Sequence, residues 1–360
     1  MFKSLFQRAP VEYKLLIEPA ALEVRVNSQT PLLQAALDQG IAFPHNCRAG
    51  GCGTCKCRLI SGKVKELTDK SYLLSAEELQ QNYILACQSL PRSDVVVEVV
   101  LDQSAPHHPV IHTSGSIVQL KHLTADIMQV DIELEQPGNY TAGQYAEIYV
   151  DGVVTDGMRD TRSYSFATAA GEAGATRSLR FFIRHVPGGA FTDWLFSEAK
   201  VGAKLEGHGP YGNFWLRPGS QPIICIAGGS GLAPIKAILE QAYLDKKSSR
   251  DVVLFFGVRV QADLYCLAEI EQLRSDWIGH FEFVPVLSAE AEDSGWRGRR
   301  GFITEHLPQV LGLRMADYQA YLCGPPPMID ACIAVLVAGG VDKQQIFFDK
   351  FLDRSHIAEA

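Results

Sequence analysis

Three hydrophobic rhythms follow one another along the chain. In the first, short apolar runs alternate with polar turns. Residues 13–18 and 21–27 read as two strands across a tight Pro19-Ala20 turn. Thr30 is placed to cap a helix with Pro31 at its first position, running through Leu32, Leu33, Ala36 and Leu37 to a Gly40 stop. Residues 57–60 and 63–67 suggest a strand pair around Ser61-Gly62, Ser75 opens an S-x-x-E capping box, and 94–101 closes the segment as an edge strand. In the second rhythm, runs at 115–122, 127–134, 144–150, 162–168 and 178–186 are separated by turn residues, and they predict a small antiparallel β-barrel. A helical run is expected at 193–198.

The third rhythm alternates strands (222–227, 252–257, 281–287, 318–322, 346–348) with helices (264–274, 304–311, 327–338). A further helix begins after a glycine-rich turn at 228–231, with Pro234 where its first residue belongs, and continues through Ile235, Ile238, Leu239 and Ala242. This pattern predicts a parallel sheet covered by helices on both faces. The expected architecture is therefore multidomain, with α+β, β and α/β parts at 1–104, 110–218 and 219–360. The polar stretch 102–109, with two prolines, reads as a linker. His107 and His108 stand adjacent within it, a pair more often solvated than bound to metal.

Composition narrows the function. The 360 residues are 47% hydrophobic and 21% charged, as in ordinary globular protein. A formal net charge of −8 removes a global basic footprint for nucleic acid. No apolar run approaches the length of a membrane-spanning helix. The opening MFKSLFQRAP is too short and too charged for a signal peptide, and nine cysteines without an export signal point to a reducing cytoplasm.

The chemistry concentrates in PHNCRAGGCGTCKC, residues 44–57. Cys47, Cys52 and Cys55 stand in C-x4-C-x2-C spacing, with Cys87 further on, the plant-type arrangement for a [2Fe–2S] cluster held by four thiolates. Gly50, Gly51 and Gly53 let the backbone curl tightly and turn N–H groups toward the sulfurs. Disulfides need an oxidising compartment, and structural zinc takes two close cysteine pairs where Cys87 has no close partner in sequence. Cys57, at the start of an apolar run, is expected to pack as a small hydrophobe.

These residues resemble the plant-type ferredoxin family, which implies a β-grasp fold for the first part. Further on, Arg162-Ser163-Tyr164-Ser165 resembles the R-x-Y-[ST] motif of the ferredoxin–NADP reductase superfamily. That resemblance implies FAD, with Arg162 on the pyrophosphate, Tyr164 stacked on the isoalloxazine and Ser165 near its N5. Strand alternation puts Arg162 and Tyr164 on one face, so Ser165 needs a twist or the strand end. The Gly188-Gly189-Ala190-Phe191-Thr192 segment resembles the superfamily's second pyrophosphate contact, through Gly188, Gly189 and Thr192. Gly209-Pro210-Tyr211-Gly212-Asn213-Phe214 is similar to the segment closing its flavin domain.

In the third part, Gly228-Gly229-Ser230-Gly231 resembles the turn that receives the NAD(P)H pyrophosphate, through Gly228, Gly229 and Gly231. Cys323-Gly324-Pro325-Pro326-Pro327-Met328 is similar to C-G-P-x-x-M, which implies Cys323, Gly324 and Pro325 beside the nicotinamide. The resemblance also implies an aromatic over the flavin, at Phe348 or Phe351. Ser165, Cys323 and Phe348 are the expected catalytic contacts. Arg259 is one candidate partner for a 2′-phosphate, but no basic cluster follows it, so NADH is the expected donor and NADPH the alternative.

A nicotinamide yields two electrons as hydride, whereas a [2Fe–2S] cluster accepts one, and a flavin converts between the two. The domain order resembles reductases of bacterial multicomponent oxygenases. This implies electron flow from NADH through FAD and the cluster to an iron-containing oxygenase or hydroxylase, or to a separate ferredoxin. Two other readings stay open: an electron donor to a desaturase or sugar-deoxygenation enzyme, and a redox sensor, for which no effector segment is evident. Arg48 and Lys56 in the cluster loop mean that a docking face there need not be uniformly acidic.

Overall fold

The computed structural model describes residues 11–102, 106, 108–155, 158–159, 161–171 and 174–352. The opening decapeptide and His107 lie outside the described residues; the His108 ring is 2.8 Å from the Thr141 hydroxyl. The chain divides into two compact units, which meet in sequence between His107 and His108.

The first unit is a five-stranded sheet in the order Leu22–Asn27, Glu12–Glu18, Val95–Glu98, Lys56–Ser61, Tyr83–Leu85. Period-2 burial puts Leu15, Ile17, Val24, Val26, Val95 and Val97 on one face, where helix Leu32–Asp38 covers them with Leu32, Leu33, Ala35 and Ala36. Each such fully buried aliphatic side chain contributes about 1.5–3 kcal/mol.

Three local expectations for this unit are corrected. The helix starts at Leu32, because Pro31 keeps an extended ψ of 146° and itself occupies the capping position, so Thr30 lies outside. Lys56–Ser61 and Val64–Glu66 do not pair with each other; the first joins the main sheet and the second pairs with Ser89–Pro91. Gly62, at φ +97°, carries the chain across the neighbouring Asp94 backbone, where a Cβ would stand 2.2 Å from the Asp94 carbonyl oxygen. Val95–Glu98 is central rather than an edge strand, because it pairs in parallel with Glu12–Glu18 and antiparallel with Lys56–Ser61. The Ser75–Glu78 capping box is present and opens helix Ala76–Gln80.

The second unit contains a six-stranded antiparallel sheet in the order Arg162–Ser165, Tyr145–Tyr149, Lys204–Tyr211, Ile111–His122, Ile127–Gly138, Thr176–Arg184. A bridge between Phe166 and Phe181 joins the first strand's end to the last strand and closes the barrel. The same unit holds a six-stranded parallel sheet in the order Arg299–Arg300, Phe281–Leu287, Val252–Val258, Ile223–Gly228, Gln319–Gly324, Ile346–Lys350. Its central strands Ile223–Gly228 and Gln319–Gly324 are buried throughout because helices cover both faces. Helix Leu232–Leu244 begins straight after a 3₁₀ turn at Gly229–Gly231, so Pro234 is its third residue rather than its first. That site is tolerated because N–H groups in the first turn have no helical partner to lose. One continuous core contains Ala142, Ala167, Phe182 and Phe214 of the barrel together with Ile235, Ile238 and Leu239 of this helix. No helix among the described residues is long and apolar enough to cross a membrane.

Candidate functional site

In the first unit, residues 42–55 contain no helix or strand, and Arg48, Gly50 and Gly53 take positive φ there, wrapping the loop around its own sulfurs. Cys52, Cys55 and Cys87 are buried and Cys47 is half-buried. The sulfurs form two pairs: Cys55 Sγ lies 3.2 Å from Cys87 Sγ, and the Cys47 thiol hydrogen-bonds Cys52. Two thiolates on one tetrahedral metal, at metal–sulfur bonds of about 2.3 Å, stand roughly 3.8 Å apart. Two such pairs fit a two-iron cluster, two sulfurs to each iron. Among the described residues, no three His, Cys, Asp or Glu side chains converge as a single-ion site would require.

Within each pair one thiol is held low by its partner's hydrogen bond, Cys52 to about 5 and Cys87 in the same direction. Cys47 and Cys55 are pushed up by donating those bonds and then by burial. The Gly50 and Thr54 backbone N–H groups point at Cys87 and Cys52, the contacts that stabilise thiolate. Cys57 is 1% exposed, and burial pushes its thiol up to about 12, so it packs rather than ligates. The loop's cations are engaged: Lys56 pairs with Glu78 and Arg48 bonds Gln34.

In the second unit the motif strand Arg162–Ser165 ends at Ser165, which is buried. Its hydroxyl is directed to Asp349, while Tyr164 turns to the helix side. The Tyr164 ring lies 5.5 Å from that of Phe191, which brings the motif strand against helix Ala190–Ser197. Gly188, at φ +79°, precedes that helix with open space where a Cβ would be, and Gly189 is its capping residue. The Thr192 hydroxyl donates to the Val186 carbonyl at 3.0 Å and accepts from the Val186 N–H at 3.2 Å, so it shapes this loop. An open glycine bend leading into a helix N-terminus fits a pyrophosphate.

The Gly228–Gly231 turn and the Cys323 turn lie on adjacent parallel strands, with Ala227 opposite Cys323. Gly231 packs so closely that a Cβ would stand 2.2 Å from the Cys323 carbonyl oxygen. Gly228 faces Pro325 and Met328, and Gly324 lies against the Gly228 backbone. Gly229 faces open space at the head of helix Leu232–Leu244, an arrangement that fits an anion. Cys323 is fully buried; burial, and then the charge of Asp349, pushes its thiol well above the ordinary range. It is therefore an S–H at neutral pH, not a nucleophilic thiolate.

Asp349 belongs to none of the motifs in the sequence. It stands opposite Cys323 in the parallel pairing, is 7% exposed, and accepts from the Ser165 hydroxyl at 3.5 Å. A hydroxyl, a thiol and a carboxylate from distant strand ends thus meet in one buried place. The signal in the sequence was a lone acid inside the apolar run 346–351. Phe348 lies on the opposite sheet face, among Ile224, Ile226 and Leu322, with the Lys350 ammonium 5.6 Å above its ring. Phe347 and Phe351 pack on the Cys323 side.

Comparison with known proteins defines the class. Residues 16–92 match the 2Fe-2S iron-sulfur cluster binding domain, 114–215 the oxidoreductase FAD-binding domain and 225–333 the oxidoreductase NAD-binding domain. The xylene/toluene monooxygenase electron transfer component of Pseudomonas putida is 42% identical over 96% of this chain and 95% of its own length. The reductase component of phenol 2-monooxygenase from Pseudomonas sp. strain CF600 is 34% identical over 95% of each. Among solved structures, the Amycolatopsis cytochrome P450 reductase superposes with a TM-score of 0.80 at 34% identity, covering 94% of this chain and 98% of that one. The ferredoxin reductase of carbazole 1,9a-dioxygenase gives 0.74 at 32% identity, covering 96% and 100%. The chain belongs to the family of flavin and iron–sulfur reductases that serve as electron-transfer components of oxygenases.

Proposed function

We propose that this reductase takes hydride from NADH and delivers electrons singly to the iron-containing hydroxylase component of a monooxygenase. The relatives that favour this acceptor serve xylene/toluene and phenol monooxygenases, which supports an aromatic substrate for that partner. Five cysteines beyond the four proposed to hold iron are buried thiols outside any disulfide, which favours a reducing, cytoplasmic setting. When bound, FAD supplies two-electron acceptance from the nicotinamide and one-electron release to the cluster.

The chain's own residues hold, orient and shield. Cys47, Cys52, Cys55 and Cys87 hold the iron, and the surrounding N–H groups tune it. Arg162 and the Gly188-Gly189 bend bind one pyrophosphate, with Thr192 fixing the bend. Gly229 and the helix behind it bind the other, while Gly228, Gly231, Gly324 and Pro325 let the two turns close on each other. Tyr164 supplies an aromatic face. Ser165 holds a proton on its Oγ, poised by the Asp349 carboxylate, and Cys323 keeps its S–H in the same water-poor place. Phe351, not Phe348, is proposed to cover the flavin, a reading supported by its packing on the Cys323 side.

The observation that carries this reading is the meeting of Ser165, Cys323 and Asp349 at the ends of three separate strands. Its test is anaerobic mixing of the purified protein with NADH, watched by visible absorbance and electron paramagnetic resonance. Flavin bleaching followed by a reduced-cluster signal is expected, and that signal should then decay on adding a hydroxylase component. A cluster that stays oxidised with NADH present refutes the path.

A further inference from the structure

Helix Leu232–Leu244 starts at the dinucleotide turn, yet its second half is tied to the flavin-motif strand. The backbone of that strand continues from Ser165 into residues 167–170. There the Ala169 N–H donates to Glu240 Oε2 at 3.2 Å, and the Ala170 N–H donates to Gln241 Oε1 at 3.2 Å. The other Glu240 oxygen is bound by the Lys236 ammonium, one helical turn back and only 4% exposed. Glu240 is thus fixed from its own helix on one side and grips the motif loop on the other.

A second tie runs alongside. The buried Tyr265 hydroxyl donates to the Gly229 carbonyl at 2.9 Å, and its ring meets Phe182 of the barrel edge-on at 5.5 Å. One helix, about 13 Å long between Gly231 and Glu240, therefore spans from the turn that receives the nicotinamide dinucleotide to the loop that follows Ser165.

We infer that Glu240 and Gln241 are positioning residues. Their side-chain oxygens clamp the Ala169 and Ala170 N–H groups, and so set how closely the nicotinamide approaches the flavin beside Ser165. The inference rests on the function proposed above. Hydride transfer is steep in distance, so slack of about 1 Å costs roughly a hundredfold in rate.

The test uses the full chain with its cofactors bound. On anaerobic mixing with NADH, Glu240→Ala should bleach the flavin roughly tenfold to a hundredfold more slowly. Its long-wavelength nicotinamide–flavin charge-transfer band should also be weaker. Hydrogen–deuterium exchange of the peptide spanning 167–170 should speed up in the same variant, a readout independent of turnover. Gln241→Ala, at a half-buried position, should lose rate and band in the same sense but less, and it carries the test if Glu240→Ala does not fold. Wild-type band intensity and rate in both alanine variants overturn the clamp, as does slowed bleaching with unchanged hydrogen–deuterium exchange at 167–170. A wild-type protein whose flavin NADH does not bleach overturns the underlying reading, which is a separate result.

Discussion

The two units solve the problem of holding a prosthetic group in opposite ways. In the first, the candidate cluster site is made of side chains, and three of its four sulfurs lie within nine residues of one loop. In the second, the candidate site is made largely of backbone: glycine bends, helix N-termini, and three side chains brought together from positions 165, 323 and 349. The first depends on which atoms are present. The second depends on how closely separate strand ends approach. Substitutions should therefore fail differently in the two units.

The largest effect is expected at Cys55. Its sulfur touches Cys87, so Cys55→Ser removes one thiolate from a fixed pair. Electron delivery to an external acceptor should fall by more than the roughly 100-fold that losing an outer-shell partner costs. Bleaching of the flavin by NADH should persist at near wild-type rate. Iron and sulfide analysis, with stopped-flow of the flavin, separates the two; loss of flavin reduction as well would break the comparison.

The mirror case is Gly231→Ala. The added methyl meets the Cys323 carbonyl oxygen at 2.2 Å, a backbone atom that cannot turn aside. Overpacking of this kind costs about 1–3 kcal/mol, and here it pries apart the two turns. Flavin reduction by NADH should fall steeply, while the cluster's spectrum with a chemical reductant stays unchanged. Anaerobic titration with NADH and then dithionite reads both.

The same contrast explains what was legible in the sequence. The cluster loop could be read because thiol chemistry demands cysteines at fixed spacing, and a local loop keeps that spacing visible. The parallel sheet was legible too, since its buried strands are uninterrupted apolar runs such as Ile223–Gly228. Lys204–Tyr211, a full barrel strand, was not: KLEGHGPY carries two glycines and a proline, and pairing with Ile111–His122 and Tyr145–Tyr149 overrides that local signal. Val95–Glu98 read as an edge because nothing local reveals a parallel partner some eighty residues away. Asp349 was missed for the same reason, since its meaning lies in Ser165 and Cys323, which only the fold brings near.

Asp349→Asn tests that convergence at intermediate size. The amide keeps the shape but removes the charge that accepts from the Ser165 hydroxyl and helps hold Cys323 protonated. Flavin reduction should slow about tenfold, a partial form of the roughly 10²-fold scale for losing a general acid or base. A deuterium isotope effect on NADH oxidation, measured against pH in both proteins, checks that the slowed step is hydride transfer. An unchanged rate would make Asp349 a packing residue.

The smallest effect separates two neighbouring aromatics. Phe348 and Phe351 are three residues apart, but Phe348, within the strand, and Phe351, just past its end, pack into clusters on opposite faces of the parallel sheet. Phe348 packs among Ile224, Ile226 and Leu322, so Phe348→Leu should cost about 1 kcal/mol of stability. The flavin's absorbance and its rate of reduction should not move. Phe351→Leu, on the Cys323 side, should leave stability nearly intact, because Phe351 is only half-buried, yet change the flavin's visible spectrum and the affinity for NADH. Thermal melts and NADH titrations of the two variants decide between them. If Phe348→Leu alone shifts the flavin spectrum, the flavin contacts the other face, and the assignment of the two faces of the strand Ile346–Lys350 is reversed.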